Sequence, residues 1–234
     1  MARSSTKARG TQTRGLLARP LDSLVFLLPL LVFYEFASSR QQDRVIAFDL
    51  LRRSFEWFGS AGLAAPGLAV AVVLLAAHVA SKERWAVHWR RVAWMYPEAL
   101  VLTLPLLVLN RLTALTAGDG LSASLVDALA IGIGAGIYEE LVFRLGMISL
   151  LVILGSDLMR LEESAVAVAA VAISSFLFAA HHHQPIGAEP FGVVPFLFRT
   201  MAGAYLAVIF WYRGYGSAAG AHAAYNVLLT LLRP

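Results

Sequence analysis

Residues 128–154, ALAIGIGAGIYEELVFRLGMISLLVIL, are long enough to cross a bilayer as one helix, yet they carry Glu139, Glu140 and Arg144 near the middle. On insertion scales each such group costs roughly 2.5 to 3.5 kcal/mol at the centre of a spanning helix, so chains keep them facing a cavity or paired inside a bundle. The fold must therefore give three charges either a partner or a wet cavity.

Helical geometry separates their jobs. Residues four apart stack on one face, whereas residues five apart are turned away by about 140°. Glu140 and Arg144 are accordingly partners, a carboxylate and a guanidinium that neutralise each other. Glu139 points roughly 100° around the helix from Glu140 and has no cation of its own. An unclaimed carboxylate in an apolar setting is the material of a general base; the competing reading is a salt-bridge cluster that locks helices together.

The rest of the composition agrees with a membrane setting. Of 234 residues, 59% are apolar and 15% charged, and the mean hydropathy is +0.69. These values point to an all-α polytopic bundle with the lipid bilayer as its surroundings. Cysteine is absent, which excludes a disulfide framework, a thiolate zinc site and a cysteine nucleophile. The net charge of +4 is modest, and the basic residues gather in the N-terminal arm and one loop. That distribution fits membrane topology and argues against a nucleic-acid partner.

Along the chain, residues 1–21 hold Arg3, Lys7, Arg9, Arg14 and Arg19 and no acid, a composition expected of a disordered cytoplasmic arm and shared by organelle transit peptides. A first short span over 24–37 contains Pro29, with Glu35 expected at the headgroups. Residues 43–58 alternate charge with Val45, Phe48, Leu51, Phe55 and Phe58, as an interfacial amphipathic helix does. Further spans are expected at 61–80, 94–115, 128–154, from 164 to the helix stop at Pro185, at 191–212 and at 218–232, about seven in all. Glu98 is expected at the interface. Lys82, Arg84, Arg90 and Arg91 with Trp85, Trp89 and Trp94 mark the second loop as cytoplasmic. Gly132, Gly134 and Gly136 offer a surface for close helix packing. The organisation reads as an arm (1–21), an N-terminal membrane part (22–94) and a core (95–234).

Two further polar pairs lie at one-turn spacing. Phe178 and His182 place an aromatic ring beside an imidazole, and His222 and Asn226 can point two donors at one substrate oxygen, the arrangement of an oxyanion hole. Each pair alone is commonplace, since polar residues also serve helix packing in lipid.

Taken together, Glu139-Glu140-x-x-x-Arg144, Phe178-x-x-x-His182 and His222-x-x-x-Asn226, in that order on consecutive apolar helices, resemble the CPBP family of intramembrane proteases, which includes the CAAX prenyl endopeptidases and the lysostaphin-resistance protein A group. The resemblance spans roughly residues 95–232. It implies an intramembrane endopeptidase acting on membrane-associated or C-terminal peptide substrates, in which Glu139 activates water and His182 helps hold it. It further implies that His222 and Asn226 stabilise the oxyanion and that Glu140 with Arg144 is structural. An integral protein of a bacterial inner membrane is the expected setting.

The run His181-His182-His183 departs from a motif that needs one histidine; Phe178 sets the register on His182, and the two neighbours are expected as polar residues at the helix mouth. A divalent metal such as zinc would take Glu139, His182 and His222, but Asn226 suits an oxyanion donor better than a zinc ligand, which favours metal-free chemistry. With upright helices His182 and His222 would stand about 20 Å apart, so catalysis requires helices that tilt and converge around a cavity. The alternative to an enzyme is a non-catalytic scaffold or a proton- or ion-coupled transporter using the same buried carboxylates.

Overall fold

The computed structural model describes residues 19–38, 65–113, 124–187 and 189–232. The expected surface helix at 43–58 and nearly all of the basic arm lie outside them. Among the described residues every regular element is a helix, apart from a single bridge between His183 and Glu189.

The elements are α1 (Pro20–Ser38), α2 (Ala65–Ser81), α3 (Trp89–Leu112), α4 (Leu125–Leu158), α5 (Glu163–His182), α6 (Val193–Arg213) and α7 (Tyr215–Leu231). Five of them, α1, α3, α4, α5 and α6, are long and apolar enough to cross a membrane. The chain is an integral membrane protein. Its outer surface carries the apolar side chains, with Leu100, Val101, Leu104 and Val108 of α3 and Val168, Ile173 and Phe176 of α5 exposed. The charged residues Glu139, Glu140 and Arg144 are buried instead. That inversion is what a lipid solvent demands.

Two helices, α2 and α7, have 17 residues each. α2 packs on α1, and Glu35 is drawn into that contact, where it accepts hydrogen bonds from Gly67 N at 3.1 Å and Tyr138 Oη at 3.1 Å. Glu35 therefore ties α1, α2 and α4 together, where the sequence alone had placed it at the headgroups. Glu98 accepts from Arg213 Nε at 2.6 Å in an exposed ion pair, which joins α3 to the end of α6.

α7 is the central helix. Every residue from Tyr215 to Ala223 is buried, and its neighbours are α1, α3, α4 and α6. The local sequence YGSAAGAHAA explains this, because small side chains let the backbones of other helices come close where apolar bulk gains nothing against lipid. Gly136 of α4 faces the backbone of Ala223, and Gly132 faces Asn226, so α4 and α7 touch along their glycine face. Gly134 packs against the Tyr34 ring of α1. The three glycines thus serve two partner helices on two faces of α4. The turn from α6 into α7 is made at Gly214, whose φ of 88° is strained for residues with a side chain.

α4 does not run as a plain α-helix. From Leu141 to Ile148, and again from Ile153 to Leu158, it takes π-helical geometry. Such wide turns concentrate at functional sites, and here the first begins directly after Glu140. Ser124 opens α4 with a reciprocal capping box to Asp127. Glu162 opens α5, accepting from Ser164 Oγ, Ser164 N and Ala165 N. The hydrogen bond from the Ser164 hydroxyl, followed by those from the two backbone amides, holds the Glu162 carboxyl below its ordinary range.

Candidate active site

The buried ion pair of α4 forms as its spacing requires. Arg144 Nε lies 3.1 Å from Glu140 Oε2, and both side chains are fully buried. The guanidinium is held on two further sides, donating through Nη2 to Gly203 O at 3.1 Å and lying 4.4 Å over the Phe178 ring. A buried charge needs such enclosure. Arg144 thereby fixes α4 against α5 and α6.

Glu140 also has a second partner. Its Oε1 lies 2.9 Å from His222 Nδ1, so it bridges Arg144 on its own helix and the imidazole on α7. As an acceptor it receives the Nδ1–H of His222, which turns Nε2 toward the other glutamate. His182 is oriented in the same sense by a different group. Its Nδ1 stands 2.8 Å from Phe178 O and donates to that carbonyl, leaving Nε2 to face outward from α5.

Both Nε2 atoms converge on Glu139. Oε2 of that carboxylate is 3.7 Å from His182 Nε2 and 3.9 Å from His222 Nε2, and it has no hydrogen-bond partner among the described residues. The separations are too long for direct hydrogen bonds and suit a bridging water. Glu139 is buried, while the His182 side chain keeps 20% of its surface accessible. Phe178 is the ring that unites the cluster, 5.0 Å from His182 and 5.8 Å from His222.

The convergence that upright helices would forbid is thus present. It arises because α7 starts deep in the bundle and because α5 ends at His182 itself. Asn226 sits one turn beyond His222 and donates from Nδ2 to Gly132 O at 3.1 Å, which pins the carboxamide against α4 and leaves its second N–H to serve another acceptor.

His181 and His183 stand in the last turn and at the cap of α5, and both are buried. His183 Nδ1 lies 3.2 Å from Pro190 O, and neither ring nitrogen of His181 has a hydrogen-bond partner among the described residues. His181 packs edge-on to Phe143 and His182 at 5.3 and 5.2 Å. The donor group that fits a metal ion by distance is Glu139, His181 and His182, whose ligand atoms lie within 4.8 Å of one another. His181 therefore stands in this group where the sequence had pointed to His222, which is engaged by Glu140.

Arg199 of α6, beyond the three motifs, also belongs near the site. It lies one turn from Gly203, where α6 packs against Phe178 and Ser175 of α5. A cation inside an apolar span was the signal available in the sequence.

Residues 121–228 match the family model described as type II CAAX prenyl endopeptidase, Rce1-like. The matched stretch holds every residue of the three motifs. No curated protein and no solved structure matches the chain.

Proposed function

The match over residues 121–228 supports a CPBP/CAAX protease family for this chain, and from that premise we propose that it is an intramembrane endopeptidase in which Glu139 activates a water molecule. The observation that carries the reading is the approach of two imidazole Nε2 atoms from two other helices to one Glu139 oxygen, at 3.7 and 3.9 Å. Such a gap accepts a water that gives one hydrogen bond to the carboxylate and one to His182 Nε2. Glu139 takes the proton as the oxygen attacks a peptide carbonyl and gives it to the amine as the C–N bond breaks.

The developing oxyanion is met from α7. To donate through Nε2, His222 holds a proton on both nitrogens, its Nδ1–H directed at Glu140. Two carboxylates, one guanidinium and one imidazolium then sum to zero, which is how a buried polar cluster avoids a net charge. Asn226 offers its second N–H to the same oxygen. Glu140 is thus a positioning residue as well as the partner of Arg144, a part analogous to the carboxylate that orients the imidazole in a serine triad.

We favour metal-free chemistry because Asn226 has a use as an oxyanion donor and a poor one as a ligand. A divalent ion bound by Glu139, His181 and His182 would supply water activation at the same place. The two shorter helices are read as spans of a seven-helix bundle, α7 being enclosed by protein, and the substrates as membrane-associated or C-terminal peptides at a bacterial inner membrane. The test is peptide cleavage by wild type beside Glu139→Gln, the variant being inserted and folded but inactive; normal turnover there removes Glu139 from the chemistry.

A further inference from the structure

Arg199 lies in the second turn of α6, inside a segment long and apolar enough to span, and the packing register puts it beside the reacting groups. α5 and α6 pair closely where Gly203 meets α5: a Cβ on Gly203 would come within 3.1 Å of the Phe178 ring and 3.2 Å of Ser175 Cα. The two helices run in opposite directions, since a short loop joins them. One turn back along α6 from Gly203 is Arg199, and one turn on along α5 from Phe178 is His182. Arg199 is thereby level with His182 across the helix pair, and its guanidinium reaches Glu189, whose N–H donates to His182 O.

Its hydrogen bonding is half used. Nη2 donates to Glu189 Oε1 at 2.6 Å, and the Glu189 backbone is fixed on the end of α5 by N–H to His182 O at 3.2 Å and by its carbonyl to Gln184 N at 2.8 Å. Nη1 is buried and has no hydrogen-bond partner among the described residues. A buried guanidinium edge with unspent donors costs stability unless something occupies it. The anion that matches it in a peptidase is a carboxylate of the bound peptide.

Building on the peptidase reading above, we propose that Arg199 receives a carboxylate of the substrate, at the peptide's C-terminus or on an acidic side chain, and so determines which peptides are held beside Glu139. Glu189 pre-orients the guanidinium and is half exposed, placed at the edge of the site where a peptide end enters.

The experiment measures binding on full-length Glu139→Gln protein in detergent, where turnover does not interfere. The probes are a prenylated peptide with a free C-terminal carboxylate, the same peptide amidated, and an amidated version with aspartate at the penultimate position. The free acid should bind at least about tenfold more tightly than the plain amide, the loss expected for a charge-assisted hydrogen bond. Recovery with the aspartate peptide shows that a side-chain carboxylate can serve as well; no recovery confines the ligand to the terminus. In Glu139→Gln/Arg199→Gln the acid and the amide should bind equally, and Arg199→Lys should keep part of the preference. If Arg199→Gln fails to fold, the lysine variant and the acid-to-amide ratio in its parent decide. Equal binding of the three peptides with Arg199 present, no binding of any, or a preference that survives Arg199→Gln overturns the assignment. Cleavage by wild type that ignores amidation contradicts Arg199 alone, whereas binding preference without any cleavage contradicts the peptidase reading alone.

Discussion

The Nδ1 of His222 lies 2.9 Å from Oε1 of Glu140, while Oε2 of the same carboxylate is 3.1 Å from Arg144 Nε. One glutamate thus holds a guanidinium on its own helix and an imidazole on α7 together. Glu140→Gln should weaken both. The expected outcome is a lower unfolding temperature in detergent together with an activity loss larger than the folded fraction explains. An activity loss that follows the folded fraction alone would restrict Glu140 to structure.

Arg144→Ala leaves Glu140 buried without its guanidinium and removes the bonds to Gly203 O and Phe178. Breaking a buried pair in this way costs about 3–5 kcal/mol, so the variant should be recovered in poor yield and unfold early. Arg144→Lys should rescue little, because a lysine has no planar fork to reach both Glu140 and Gly203 O. Thermal unfolding of the purified variants checks both statements.

Asn226→Ala should lower kcat by about 10²–10³, the usual loss for one oxyanion donor, with KM little changed. Steady-state kinetics on a cleaved peptide separate the two constants. A change confined to KM would make Asn226 a binding group.

Gly136 faces the backbone of Ala223, and Gly146 faces only Leu141 O at 3.2 Å from a built Cβ. Gly136→Ala should therefore push α7 away from α4, carrying His222 out of the site, while Gly146→Ala should be tolerated. Comparing folded yield and activity of the two variants tests whether the close approach of α4 and α7 positions the site.

Much of this arrangement could be read from residue spacing. The i, i+4 rule separated Glu139 from the Glu140–Arg144 pair, and it gave the pairs Phe178 with His182 and His222 with Asn226. Apolar runs located the helices, though α4 extends to Leu158 and α3 begins at Trp89. What spacing could not supply was depth. His182 and His222 meet because α7 begins inside the protein, a consequence of small residues packing against four other helices at once. The burial of His181 and His183, the inward turn of Glu35 to Tyr138, and the nearness of Arg199 are tertiary in origin in the same way. Each is a polar group for which bundle packing supplied an interior position, and no periodicity within one helix reports that.

The measurement that tests the central claim most directly is peptide cleavage by purified wild type and Glu139→Gln, each with and without a chelator. Cleavage by wild type that is unaffected by chelation and lost in Glu139→Gln is the predicted result. Cleavage that persists in Glu139→Gln, or that disappears from wild type on chelation and returns with added metal, would contradict a glutamate acting alone on water.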